Sequence, residues 1–516
     1  EGRIRSSGED TRVRLEGEVS AADLRMHTDS SWLEPMRGTT GFEADLTLPR
    51  DGDRMALSLR SPLTGLTLDA PDPLGKEGGR SVPLSVDWDR GRPADALRFR
   101  YGDRLDGLVF LEQGALVRGH LVLGGDPAQV RNQPGVRVDG ELARVDASDW
   151  VDWMREHRPR DAQAPPPLDE LALTVASLQL YGLTVNNGRL NLAPREQGWQ
   201  VELDSNELGA SLRVPPEYRV DGDRPLKLTV DRANLQLGTG PAEPAPGDLP
   251  IADVELRNLR VNGTDYGRWV FALRPTEQGV VFQDLEGNWR KTDFHGRLNW
   301  TASPAGQQSH FVGRVTAARL HHALQAWGLE AVIESKDARS VVDLRWPGAP
   351  TDADPVALHG HASVDIGECR IPETSRGASA LRVLGILNVG SLSRRLRLDF
   401  SDLYKKGLSC DRISGDFQLQ APRVTTDNLV IESPSAEFRV SGELNLKAET
   451  LDHRMDVTLP LSSNLYAGCL AGPAACAGIF VFDRLWGSDL EKMTTLSYRV
   501  TGSWRDPKVR ELGESD

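Results

Sequence analysis

Along nearly the whole chain, apolar residues return at every second position, a period that only a strand can turn into a single face. The pattern is carried by Met55, Leu57 and Leu59, by Leu97, Phe99 and Tyr101, and by Leu171, Leu173 and Val175. It continues through Leu190 and Leu192, Leu226, Leu228 and Val230, Trp269, Phe271 and Leu273, and then Phe282. Val364 and Ile366, Leu396, Leu398 and Phe400, and Phe438 and Val440 extend it toward the C-terminus. The residues between them are mostly Asp, Arg, Glu, Gln or Thr. Turn signals such as Asn186-Asn187-Gly188 and Asp221-Gly222-Asp223 separate the runs. The pattern predicts a mainly β chain of many strands, mostly antiparallel, with one apolar and one wet face.

Nine glycines fall within these apolar runs: Gly17, Gly119, Gly140, Gly296, Gly313, Gly360, Gly415, Gly442 and Gly502. Each is flanked at i−2 and i+2 by apolar residues, as in Val138-Asp139-Gly140-Glu141-Leu142 and Phe294-Gly296-Leu298. A glycine inside a strand weakens it and marks a bend or a close backbone approach. Repeated on one face, such bends predict a curled sheet forming a U-shaped trough, with the glycines on the concave side. About thirty strands at about 4.8 Å spacing would make a ribbon about 140 Å long, and open sheets of that size rarely stay single unless they curl. An apolar face that large needs a cover. A second sheet, another protein or acyl chains would each serve.

Composition narrows the function. The net charge of −14 argues against nucleic acid, which needs a basic footprint, and against simple docking on anionic lipid. No nucleophile-elbow, zinc-protease, dinucleotide or phosphate-loop motif occurs, and Gly75-Lys76 lacks the Ser or Thr that a phosphate loop requires after its Lys. His359 and His361 share a strand face, but no third metal ligand stands at a suggestive spacing, and a polar outer face accounts for them. Neither catalysis, metal nor cofactor is expected. Of the four cysteines, Cys469 and Cys476 would lie about 10 Å apart on an unbroken helix, too far for a bond. Cys369 and Cys410 can pair only if their strands are neighbours, and small buried thiols explain them equally well.

Short helices interrupt the strands. One is expected from Ala147-Ser148-Asp149 through Trp150, Trp153 and Met154, one at about 318–327 ending at Gly328, and an amphipathic one at about 379–395. Pro-rich stretches at 159–167, 238–250 and 347–355 read as loops leaving the sheet, not as domain linkers, because the strand pattern resumes beyond each. Val457 to Phe482 carries no charge, but Gly, Pro, Ser and Asn dilute its hydropathy. A buried cap and a membrane-contacting segment are equally open readings, the latter through Leu470, Ile479, Phe480, Phe482 and Trp486. The expected divisions are a β-groove at 1–377, a helix at 378–396, further groove strands at 397–456, the apolar segment at 457–495, and a last strand and tail at 496–516. The chain opens on Glu1 with no signal peptide ahead of its strands, which reads as a fragment or a processed product.

Several stretches carry a family resemblance. Ser61 to Pro71 followed by Pro73-Leu74-Gly75-Lys76 resembles a signature of the YhdP branch of the bacterial AsmA-like family, as does Val136 to Leu142 leading to Asp146 and Trp150. Leu324 to Gly328, Val342 to Gly348, Leu384 to Asn388 and Leu398 to Leu403 are similar too. Gly415-Asp416-Phe417, Thr425 to Leu429, Tyr498 to Trp504 and Asp506-Pro507 complete the order, which spans almost the whole chain.

The resemblance implies a periplasmic bridge of a Gram-negative envelope, related in shape to bridge-like lipid transfer proteins, that moves phospholipid from the inner to the outer membrane. It implies an inner-membrane anchor outside this chain and an outer-membrane contact near the C-terminus. On this reading acyl chains lie against Leu57, Leu59, Leu97, Phe99, Val138, Leu142, Leu171, Leu173, Leu190, Leu192, Leu226, Leu228, Val230, Trp269, Phe271, Phe282, Leu298, Val364, Ile366, Leu398, Phe400, Phe417 and Leu444. The alternatives are an envelope scaffold that carries no lipid and, more weakly, a glycan-binding module. Aromatics are 6% of the chain and mostly at inward positions, which disfavours the last.

Overall fold

The computed structural model describes residues 2–6, 10–27, 33–49, 55–91, 94–156, 168–180, 183–216, 218, 222–236, 249–328, 331, 333–371, 408–434, 436–458, 495–503 and 507–512. Strands dominate, and the few helices are short. The chain is mainly β and its described strands pair mostly antiparallel, as the alternation predicts. Two compact units divide it: Glu1–Pro244 with Glu255–Asp265, and Ala245–Val254 with Tyr266–Asp516.

In the first unit, strands from Gly2–Ser6 to Leu226–Leu235 pair with their neighbours, and one strand departs from the antiparallel rule. Gly135–Asp146 runs parallel both to Ala115–Leu123 and to Leu168–Leu180. A parallel neighbour needs the chain to cross back over the sheet. The crossing segment 124–134 lies on the face opposite the apolar rows. There Leu108, Val122 and Ala128 bury one another, and the nearly inaccessible Asp106 accepts hydrogen bonds from the Ala128 amide at 2.8 Å and the Arg100 guanidinium at 2.8 Å. The crossover therefore leaves the other face free.

In the second unit, the strands from Thr264–Thr276 to Lys508–Glu511 pair antiparallel. A separate small sheet joins Glu334–Ser335, Cys369–Ile371 and Leu408–Cys410. Bulges shift the register between Val270 and Ala272, Phe282 and Leu285, and Thr426 and Leu429. Each bulge bends its strand and increases the local twist.

In the first unit the segments carrying the helices Ala21–His27 and Ala147–Glu156 and residues 61–76 leave from one rim. Helix α1, Ala21–His27, starts at a capping box in which Ser20 Oγ and the Asp23 amide and carboxylate bond reciprocally. Helix α2, Ala147–Glu156, is capped by Asp146, whose carboxylate accepts the Ser148 amide at 3.0 Å. The α2 indoles of Trp150 and Trp153 donate to the Asp72 and Asp69 carbonyls at 3.0 and 2.7 Å. Tyr101 Oη and Arg104 Nη1 hold the Leu74 and Pro73 carbonyls. Lys76 turns inward to bond the Leu66 and Glu77 carbonyls. Burial, with Arg104 second, pushes its ammonium below the usual lysine range. Two stretches quoted for the family resemblance, 61–76 and 136–150, are thus fastened to each other. In the second unit helix α3, Leu320–Ala326, and the small sheet share a rim in the same way.

Candidate functional site

Residues paired across a sheet share a face, so the register decides which apolar side chains lie together. In the first unit one row passes Leu15, Ala44, Leu59, Val86, Phe99, Gly107, Leu121, Val138, Leu171, Leu192, Val201, Leu212 and Leu228, each the partner of the one before. A second passes Leu84, Tyr101, Leu105, Leu123, Gly140, Leu173, Leu190, Leu203, Ala210 and Val230 on the same face. Leu57 and Leu97 lie in a parallel row through Trp88, and Leu142 partners Val175. Leu226 lies two residues from Leu228 on the same strand face. Most of these residues are half-buried rather than enclosed.

The second unit repeats the arrangement. Leu273, Phe282, Leu298, Phe311, Leu344, Gly360, Leu419, Val424, Leu444 and Leu451 form one row. Trp269, Gly287, Phe294 and Val315 start another, which reaches Val364 through Ser340. Phe271 sits at a bulge with its ring 5.0 Å from Phe282. Phe417 partners Ala362. Ile366 differs: with Ile413, Ile431, Cys369 and Cys410 it belongs to a dry cluster that the small sheet and α3 cover. Leu398, Phe400, Leu470, Ile479, Phe480, Phe482 and Trp486 lie outside the described residues, as does the helix expected at 379–395.

All nine glycines stand in strands; Gly140 and Gly360 are members of these rows, while Gly442 has Thr426 and His453 as its cross-strand partners. Several lie beneath a neighbour's side chain. A Cβ at Gly17 would stand 3.3 Å from the Phe42 ring, and one at Gly313 would stand 2.7 Å from Phe311. Gly107 and Gly287, which the i, i+2, i+4 pattern omits, sit under Phe99 and Trp269, where a Cβ would come within 2.3 Å of the ring. At Gly360, with φ +136, any Cβ would run into the Asp343 carbonyl.

The opposite face is charged and knitted. Arg137 bridges Asp139 and Glu170, His310 Nε2 stands 2.8 Å from Asp343, and Arg412 and Arg499 hold Asp365 and Asp452. Hydrogen bonds from Arg412 and Arg499 keep the carboxyls of Asp365 and Asp452 below the usual range. At Asp139 burial works the other way, but bonds from Arg137 and His120 outweigh it. His361 partners Asp343 on this polar face, and among the described residues no group of three potential ligands could hold a metal. Such exposed pairs are each worth under about 1 kcal/mol, so the faces differ in kind more than in stability.

Cys369 and Cys410 are cross-strand partners joined by a disulfide, with Cα atoms 4.9 Å apart, which decides between the two readings of these thiols. Among the described residues no helix is long and apolar enough to cross a membrane. Sequence periodicity missed α1, though Ser20-Ala21-Ala22-Asp23 carries the capping signal. It also missed the gathering of Trp289, Phe294 and Trp327, since nothing in the spacing brings Trp327 of the α3 end onto the sheet.

These features define a mainly β protein that presents an extended, half-buried apolar sheet face opposite a charged one. A family model described as YhdP protein matches residues 2–509, and the chain belongs to that family. It is similar to the intermembrane phospholipid transporter YhdP of Escherichia coli (strain K12), with 24% identity over 473 residues. That match covers 88% of this chain and 37% of the relative, so the chain spans little more than a third of the relative's length. No solved structure matches it.

Proposed function

We propose that this chain is part of a periplasmic bridge that conducts phospholipid between the two membranes of a Gram-negative envelope, without catalysis. Acyl chains lie against the apolar rows, and headgroups stay at the open seam in water. The observation that carries this is the register itself. Leu59, Phe99, Val138, Leu171, Leu192 and Leu228 are linked partner by partner across the first unit. The relative's transport of phospholipid supplies the cargo. Each acyl methylene removed from water contributes about 0.8 kcal/mol, so apolar rows hold a lipid without polar hooks. Many similar positions in series keep the barriers between them small. The nine strand glycines lend the concave side room to curl. An inner-membrane anchor outside this chain and an outer-membrane contact near 457–495 complete the bridge.

One observation favours the scaffold reading: around Ile366 the chain's own α3 and small sheet cover the apolar face. A photo-crosslinker at Leu228, followed by mass analysis of what it captures, separates the two. Captured phospholipid supports the conduit. Capture of protein side chains alone, together with no lipid in an extract of the purified protein, overturns it.

A further inference from the structure

The β-hairpin that joins Gly279–Trp289 to Thr292–Ser303 turns through Arg290 and Lys291, and both adopt positive φ, 51° and 62°. Such tight turns favour Asn or Gly there, and the left-handed region costs a side-chain-bearing residue about 1 kcal/mol or more. A strained pair of cations at a turn is a reason to ask what they face.

Helix α3 lies beside this turn. Trp327, at its C-terminal end, packs its ring 4.7 Å from Trp289 and donates its indole N–H to Thr292 Oγ1 at 3.0 Å. The Arg290 guanidinium rests over both indoles, 5.0 and 5.1 Å from their rings. From the α3 side come Arg319, His321 and His322, with the two imidazoles 4.0 Å apart. His322 is held below its ordinary value by His321 first, then by desolvation, Arg319 and Lys291. Positive charges therefore crowd one spot on a chain whose net charge is −14. Among the described residues, Arg290, Lys291 and Arg319 have no carboxylate within ion-pair distance. The nearest acid along the hairpin, Asp293, is on the other face, bonded to the Asn288 amide at 2.6 Å. The buried Nδ1 of His321 has no hydrogen-bond partner.

The cluster stands where the apolar face meets the rim. Trp289 continues the strand face of Leu285 and Gly287, and Phe294 lies 6.5 Å from the Trp289 ring and 6.4 Å from that of Trp327. Indoles suit such a border, with an apolar body and a polar edge. Uncompensated cations suit an oxyanion, and Arg in particular suits phosphate.

We propose that Arg290, Lys291, Arg319 and His321 form a rim site for the phosphodiester of a phospholipid headgroup, with the Trp289–Trp327 pair marking where its acyl chains pass onto the Phe294 face. This rests on the lipid-carrying function proposed above. A free phosphate would use the same cations but would not need the indoles or the apolar row.

Two photoactivatable phospholipids, one reactive in the headgroup and one in an acyl chain, test it on the purified protein, with labelled peptides read by mass. The headgroup probe should label segments 289–292 and 319–322, and the acyl probe should label peptides carrying Phe282 and Phe311. Replacing the three cations together (R290Q, K291Q and R319Q) should cut the headgroup label about tenfold and leave the acyl label in place. The charge-preserving pair R290K and K291R should keep most of the headgroup label at an unchanged unfolding midpoint. A headgroup label indifferent to the triple replacement overturns the site while the conduit stands. Full protection by millimolar inorganic phosphate also overturns it, in favour of a free-phosphate site. No label from either probe anywhere on the chain overturns the lipid function itself.

Discussion

The Trp269 indole lies across Gly287, its cross-strand partner, so closely that a Cβ on Gly287 would stand 2.3 Å from the ring. Phe99 covers Gly107 in the same way in the first unit. Glycine here makes room for a ring to lie flat on the sheet, and the ring in turn shields the exposed backbone.

Replacing Gly287 with Ala should therefore lift the indole and cost about 1–3 kcal/mol, the usual range for overpacking. The same change at Gly79, where a Cβ meets nothing within 4 Å, should be nearly neutral. Denaturant unfolding followed by Trp fluorescence measures both, and equal effects would remove the argument.

Charge on the two faces should have opposite consequences. Leu228→Glu and Phe271→Glu place a carboxylate in the apolar rows, while Lys227→Glu alters the polar face one residue away. A buried charge adds a barrier of about 3 kcal/mol in a lipid-like setting, and each 1.4 kcal/mol or so slows passage about tenfold. Delivery of phospholipid to the outer membrane should fall with the first two and hold with the third. Unchanged delivery with Leu228→Glu and Phe271→Glu combined would sink the conduit.

The disulfide makes a redox prediction. Cys369 and Cys410 close a loop with a sequence separation of 41, for which chain entropy alone gives about 4 kcal/mol. Cys369→Ser with Cys410→Ser, or a reductant, should lower the unfolding free energy of the second unit by about 4 kcal/mol or somewhat less. The α3-side cluster around Ile431 and Ile371 should loosen first, because it packs directly on the bond. Hydrogen exchange reads this, and an exchange pattern blind to reductant would mean that the bond contributes nothing.

Acid should weaken the knitted face within a definite window. Asp365 and Asp452 have folded values below their ordinary ones through Arg412 and Arg499. A depressed carboxyl contributes stability that is fully present above the unfolded value of about 3.9 and is lost as pH falls through the folded one. Stability from these pairs should therefore hold from about pH 7 to pH 5 and decline below about pH 4. Asp452→Asn should cost no more than about 1 kcal/mol at neutral pH, since the pair is half exposed, and should cost less at about pH 3. Denaturant midpoints at the two pH values decide it.

Much of this protein was legible in its residues. Period-two alternation at Leu171-Leu173-Val175 or Trp269-Phe271-Leu273 states both that a strand exists and which of its side chains share a face, because strand geometry leaves no other choice. The order of short stretches from Ser61 to Asp506 pointed to the family. Helix α2 was legible from Ala147-Ser148-Asp149 and its tryptophans, although the residue that caps it is Asp146, just ahead of that stretch. What alternation cannot state is which strand lies beside which. The parallel placement of Gly135–Asp146, the route of 124–134 over the charged face, and the partnership of Cys369 with Cys410 are pairings between distant segments. So are the seating of Trp269 on Gly287 and the meeting of Arg290 with Trp327. Alternation and the ordered family stretches are enough to define a two-faced β chain of this family. How its apolar residues join into rows was settled by the tertiary structure, because alternation and turns fix face and local register but not which distant strand lies alongside, as with Gly135–Asp146 between Ala115–Leu123 and Leu168–Leu180.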